Sequence, residues 1–132
     1  MDLYWKAQAD PKNIPASTFT KYMTGGAKVL LEGSYNETAK GGDSIKGHQI
    51  SRVRVAAKHL SETAPWVQLV DCPTQDPDDP QTGFHVDANG DVVANKPHDP
   101  PYPYAATVKM FLLNGVWTVA SFETDFTRTC SP

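Results

Sequence analysis

The chain has 132 residues and a mass of 14.4 kDa, the size of one domain able to bury a core of its own. With 39% hydrophobic and 20% charged residues it is neither a disordered tail nor a coiled coil, and no apolar run approaches the roughly 18 residues of a membrane helix. A net charge of −3 argues against a nucleic-acid binder built on a basic patch.

Residues 2–9, DLYWKAQA, read as the last turns of a helix with Leu3, Tyr4 and Ala7 facing inward, stopped by Asp10-Pro11. Because the chain opens inside this pattern, we expect the natural N-terminus upstream, with a helix and an export signal removed. Asn13 to Ala16 is a linker, and Ser17 or Thr18 offers an N-cap. Phe19, Tyr22, Met23, Ala27, Leu30 and Leu31 then form one apolar stripe at helical period, which predicts a second helix running through Gly25-Gly26. Each of those glycines costs roughly 1 kcal/mol relative to alanine, and close packing of the helix against a sheet is a reason to accept that cost. Gly41-Gly42 and Gly47 punctuate the stretch after this helix.

From residue 48 the period changes to two. Val53, Val55 and Ala57 fall on one face of a predicted strand over Gln49–Leu60, and Arg52, Arg54 and Lys58 on the wet one. Ser61–Pro65 is turn-like, and WVQLVDC (66–72) is a second strand that pairs with the first. A Pro- and Asp-rich loop spans 73–80, and 84–93 (FHVDANGDVV) carries the hairpin dipeptide Asn89-Gly90. Proline holds Lys96–Tyr104 extended.

The clearest element comes last, with Tyr104–Leu113 and Val116–Asp125 flanking Asn114-Gly115, the preferred dipeptide of a type I′ turn. A two-residue turn pairs Leu112 with Trp117, Met110 with Val119 and Val108 with Ser121 on one face. On the other it pairs Leu113 with Val116, Phe111 with Thr118, Lys109 with Ala120 and Thr107 with Phe122. The Trp117 face is the more apolar and is assigned to the core, which gives Glu123 and Asp125 core-facing parity. The order of elements predicts an α+β domain, N-terminal helices packed on a curved, mostly antiparallel sheet, with residues 1–132 as one domain.

Charge and cysteines add to this outline. Residues 1–70 hold nine Lys/Arg against six Asp/Glu, while 71–132 hold three against nine, with seven aspartates between Asp71 and Asp99. That acidic stretch, centred on Asp76, Asp78 and Asp79, reads either as a solvated loop or as a docking surface for a basic partner or a cation. Cys72 ends one predicted strand and Cys130 follows another. The pair suits a staple between loop and tail, worth about 4 kcal/mol in the chain-entropy model, in an oxidising compartment; the alternative is two free thiols. No CxxC, HExxH, GxSxG or phosphate-binding glycine loop is present, and His48, His59, His85 and His98 are scattered. DANGD (87–91) starts like a calcium loop, yet Val92 stands where glycine is needed and His98 where the closing glutamate is, so it reads as a turn. Asn36-Glu37-Thr38 matches a glycosylation acceptor, a motif frequent by chance.

The strings YWKAQADP, FTKYMTGGAKVLLE, WVQLVDC, GF…DANGD and NGVWTVASFE, with Gly47 before the first strand and a closing cysteine, resemble small secreted or lipoprotein domains of actinobacteria with the nuclear-transport-factor-2-like, or cystatin-like, cone fold. The resemblance covers most of the chain and implies a Cys72–Cys130 disulfide and a cell-envelope location, but no activity. Such cones hold a pocket between helices and sheet. Tyr4, Tyr22, Trp66, Met110 and Trp117 are the residues expected to line it, plain packing being the alternative. Some relatives place a buried acid there for isomerase or dehydratase chemistry, a role for which Glu123 and Asp125 are candidates, with Asp71 and His48 behind them.

The favoured function is a non-enzymatic extracytoplasmic interaction or small-ligand-binding domain that takes an unidentified protein or a small apolar ligand. One alternative is an enzyme using a pocket carboxylate, and another is a docking component of a secretion or conjugation apparatus. No cofactor, metal or nucleic acid is expected, and contact with a membrane only through an upstream anchor.

Overall fold

The computed structural model describes residues 2–46, 50–74, 85–93 and 104–131. Three helices come first, α1 (Asp2–Ala9), α2 (Ser17–Thr20) and α3 (Gly25–Gly41). The strands follow as β1 (Ser44–Ile45), β2 (Val53–His59), β3 (Trp66–Asp71), β4 (His85–Val86), β5 (Tyr104–Leu113) and β6 (Val116–Thr129). The fold is α+β: β2-β3-β5-β6 form an antiparallel sheet, β1 and β4 a separate two-stranded one. Gly47, His48, Phe84, His98, the prolines 100–103 and the acidic trio Asp76, Asp78 and Asp79 lie outside the described residues.

The helices share an aromatic core. Tyr4 and Ala7 of α1, Phe19 of α2, and Leu31 and Tyr35 of α3 are buried together, with Phe19 edge-on to both tyrosine rings at 5.2 and 5.7 Å. The Tyr35 hydroxyl lies 2.9 Å from the carbonyl oxygens of both Pro11 and Ile14, which pins the linker after α1 to α3. Gln8 is fully buried; its Nε2 donates to the Tyr4 hydroxyl at 2.7 Å, and that hydroxyl donates to Ser34 Oγ at 3.2 Å. α3 ends in a left-handed Gly42 (φ 75°), with Gly42 N–H donating to Ala39 O and Asp43 N–H to Thr38 O, the Schellman arrangement. The Asn36 acceptor motif sits inside this helix, where Thr38 is buried and its hydroxyl donates to Ser34 O.

The expected single second helix is broken in two, for a specific reason. Tyr22–Thr24 leave the helical path and lie along the free edge of β6. Val119 N–H donates to Tyr22 O (2.9 Å) and Thr24 N–H to Val119 O (2.8 Å), a one-residue parallel bridge. Thr24, with φ −145° and ψ 171°, is extended, and α3 restarts at Gly25 with φ +53°. A Cβ at Gly25 would stand 3.3 Å from Ala120 O. The glycine pair therefore does allow close approach to the sheet, but at a helix start.

The β5–β6 turn is as predicted, with Asn114 and Gly115 both at positive φ and the four pairs from Leu113–Val116 to Met110–Val119 in the expected register. Beyond them the register differs, because Ala120 is bulged out: Lys109 faces Ser121, Val108 faces Phe122 and Thr107 faces Glu123. From there Phe122 turns towards the helices and packs on their core, while Glu123 and Asp125 lose the core-facing parity assigned to them. A second bulge at Ala56 in β2 moves Ala57 to the face of Arg54 and Lys58 to that of Val55. The hairpin expected at 84–93 is reduced to a Val86–Val92 bridge, and β4 pairs instead with β1.

Cys72 and Cys130, 58 residues apart, form a disulfide with Cα atoms at 5.8 Å. It straps the end of β3 to the end of β6 across the start of β5.

Gly25→Ala is expected to lower the unfolding free energy by about 1–2 kcal/mol, the left-handed penalty for an L residue. Gly26→Ala, whose Cβ would meet Ala120 O at an ordinary 4.0 Å, is expected to leave it unchanged or raise it by less than ~1 kcal/mol. Urea denaturation of both variants checks this; equal effects would contradict the left-handed start of α3 at Gly25.

Candidate functional site

Cross-strand register sorts the large sheet into two faces. One carries Val55–Leu69–Val108–Phe122 as a row, then Lys58–Val67–Met110–Val119, and Leu112–Trp117 near the turn. The helices pack on this face through Phe122 and rest chiefly on β6. Coverage fades across the sheet: Val108 is 7% exposed, Leu69 and Val67 are half-buried, and Val55 and Val53 on β2 are 60% and 53% exposed. An apolar surface running from β2 to Met110 and Trp117 is thus left open to solvent. The sequence alternation placed Val53 and Val55 on a core face, and nothing in it shows that the helices stop at β6.

The opposite face holds a polar and aromatic stack. Trp66 and Phe111 are cross-strand partners. The Lys109 ammonium lies over both rings at 4.4 and 5.2 Å, and His59 stacks on Trp66 at 4.2 Å. His59 Nδ1 also lies 3.2 Å from Glu62 Oε1.

The five residues expected around one pocket are therefore spread over four places. Tyr4 belongs to the helical core. Tyr22, 41% exposed beneath the Lys21 ammonium, lies in the linker that borders β6. Trp66 is on the His59 face, and Met110 and Trp117 share the open apolar face. A cleft of about 270 Å³ lies elsewhere, between the ends of α1 and α3, lined among others by Asp10, Lys12 and Asp43.

The candidate acids follow the bulges. Glu123 and Asp125 are exposed. Asp125 Oδ1 accepts the Thr127 hydroxyl (2.6 Å) and the Thr127 N–H (3.0 Å), closing a local turn where β6 carries Phe126, Thr127 and Arg128 between residues paired to Ala105 and Tyr104. These bonds, the hydroxyl first, hold its carboxyl below the usual aspartate range. Asp87 is lowered too, chiefly by the Asn89 N–H and then that of Asp91, at 2.8 and 3.0 Å. That carboxylate shapes the DANGD turn and is spent on its own backbone. Asp71, on the apolar face and buried, accepts the Arg52 N–H at 2.7 Å and ties the start of β2 to the end of β3. His85 is exposed on β4. Among the described residues no group of three His, Cys, Asp or Glu side chains is placed to hold a metal ion, and no helix is long and apolar enough to cross a membrane.

Chemically, this arrangement offers an apolar binding surface whose nearby acid is held by backbone. Glu123 and Asp125, the leading acids of the enzyme reading, are exposed on the other face.

No family model matches the chain, and no curated protein matches it either. Among solved structures the fold is similar to the crystal structure of the intermembrane space region of the chloroplast protein ARC6. The TM-score is 0.54 at 14% identity, covering 93% of this chain and 88% of that one.

In a carboxyl NMR titration Asp87 and Asp125 are expected to stay ionised to pH values below the usual aspartate range. Because both are lowered in the folded state, what their turns add to stability is present above the ordinary aspartate range and is lost as pH falls through the lowered values. Titration of either at the ordinary position would contradict the bonding described.

Proposed function

We propose that this chain is an extracytoplasmic, non-enzymatic interaction domain that binds its partner, or a small apolar ligand, on the open half of its sheet. The carrying observation is the exposure of Val53 and Val55 at the far end of a face that is buried where it meets the helices. An apolar sheet surface of this kind, rimmed by polar residues, marks an interaction site. The Cys72–Cys130 disulfide supports an oxidising compartment, and membership of the secreted nuclear-transport-factor-2-like lipoprotein domains of the cell envelope is part of the same proposal. Isomerase or dehydratase chemistry needs a raised acid facing an apolar pocket; the exposed position and lowered pKa of Asp125 speak against that role for it.

The neutral apolar probe N-phenyl-1-naphthylamine tests this reading. Saturable binding to the native protein is expected, with methyl shifts confined to Val53, Val55, Val67, Leu69 and Met110. Val55→Asp, at an exposed position, is expected to weaken it at least fivefold without lowering stability. No saturable binding, or shifts centred on Trp66, would overturn the reading.

A further inference from the structure

β2 is an edge strand, with β3 on one side and no described residue paired to the other. Its ladder with the β3 end is prolonged by mutual Ile50–Thr74 hydrogen bonds, so the edge runs from Ile50 to His59. Along it lie Arg52, Arg54 and Lys58, all exposed and none in an ion pair among the described residues. An unpaired edge of N–H and C=O groups is a template for another strand. We infer that the β2 edge takes up, as an added strand, an acidic extended segment of a partner protein in which acidic and apolar residues alternate.

The charge pattern selects this occupant over a second copy of the chain. Two β2 edges brought together would set three cations against three, a repulsion that edge lysines and arginines commonly exploit to prevent self-pairing. An acidic strand meets the same cations favourably. The faces specify its pattern: Arg54, with Arg52 two residues before it, asks for acids on the His59 face, while Val53 and Val55 ask for apolar residues on the other. The alternating match is set over Arg52–Val55; past the Ala56 bulge Lys58 lies on the Val55 face and adds its positive charge to the same edge. The apolar half of such a strand continues the surface formed by Val55, Leu69 and Val108. The inference rests on the reading of that surface as a partner site and supplies the partner's chemistry.

The probe is a capped octapeptide of alternating glutamate and valine, titrated into the 15N-labelled full chain beside its lysine–valine counterpart. The glutamate peptide is expected to shift the amides of Val53–His59, with an affinity that falls at least tenfold between 50 and 500 mM salt, as expected for exposed charges. The lysine peptide is expected to leave them in place, and Arg54→Glu/Lys58→Glu to reverse the preference. Equal binding of both peptides, no shift along β2, or concentration-dependent dimerisation through β2 strengthened by the double variant would each overturn the inference. Binding of N-phenyl-1-naphthylamine separates the two levels. If it persists while the peptide fails, the partner's chemistry is wrong; if both fail, so is the interaction surface.

Discussion

The rest of the structure depends on the junction between the Tyr22–Gly25 linker and the edge of β6 at Val119 and Ala120. Two backbone hydrogen bonds of 2.8 and 2.9 Å satisfy edge groups of β6 that would otherwise face solvent, and a side-chain-free Gly25 lets the backbones close to contact. This anchors the start of α3 directly over β6, the last strand of the sheet. The helical core follows from that anchor, since Phe19 and Leu31 flank the junction in sequence and belong to the cluster on which Phe122, two residues beyond the bulge, packs. Because the helices are tied to one edge, they do not reach the other.

The bulge at Ala120 has consequences at both ends of β6. It turns Phe122 inward and sends Glu123 and Asp125 outward. A carboxylate that simple alternation would bury is solvated, and bonds its own turn instead. The Ala56 bulge does the corresponding thing on β2, where it distributes cations over both faces of the free edge. Both outer strands thus carry the irregularity that edge strands use against unwanted pairing. Among the described residues only β6 is also covered by another segment. The disulfide complements this by holding the far end of β6 to β3, so that the long outer strand is fixed near both ends.

Much of this was legible in the sequence. The Asn114-Gly115 turn, the end of α1, the Trp66–Asp71 strand and its pairing with β2 follow from local chemistry that outweighs context. The pairing of Cys72 with Cys130 was favoured by their places at strand ends and implied by the family resemblance, and it is formed. What escaped were the helix break, the two bulges and the open face, each decided by contacts remote in sequence. The stripe from Phe19 to Leu31 is genuinely periodic, and only the pull of Val119 on Tyr22 and Thr24 breaks it. Neither bulge has a glycine or proline to announce it, so alternation ran on past Ala56 and Ala120 and mis-assigned Ala57, Lys58 and both candidate acids. The open face was hidden for the same kind of reason: Val53 and Val55 are as apolar as core residues, and how far the helices reach is a property of the assembled fold.

The central claim is that the apolar face is covered where Phe122 meets the helices and bare over β2. Methyl relaxation in the presence of a neutral soluble paramagnetic agent measures this most directly. The account predicts strong enhancement at Val53 and Val55, intermediate values at Val67 and Leu69, and protection at Val108 and Leu31. Protection of Val53 and Val55 equal to that of Val108 would show that the face is covered, and would contradict the account at its base.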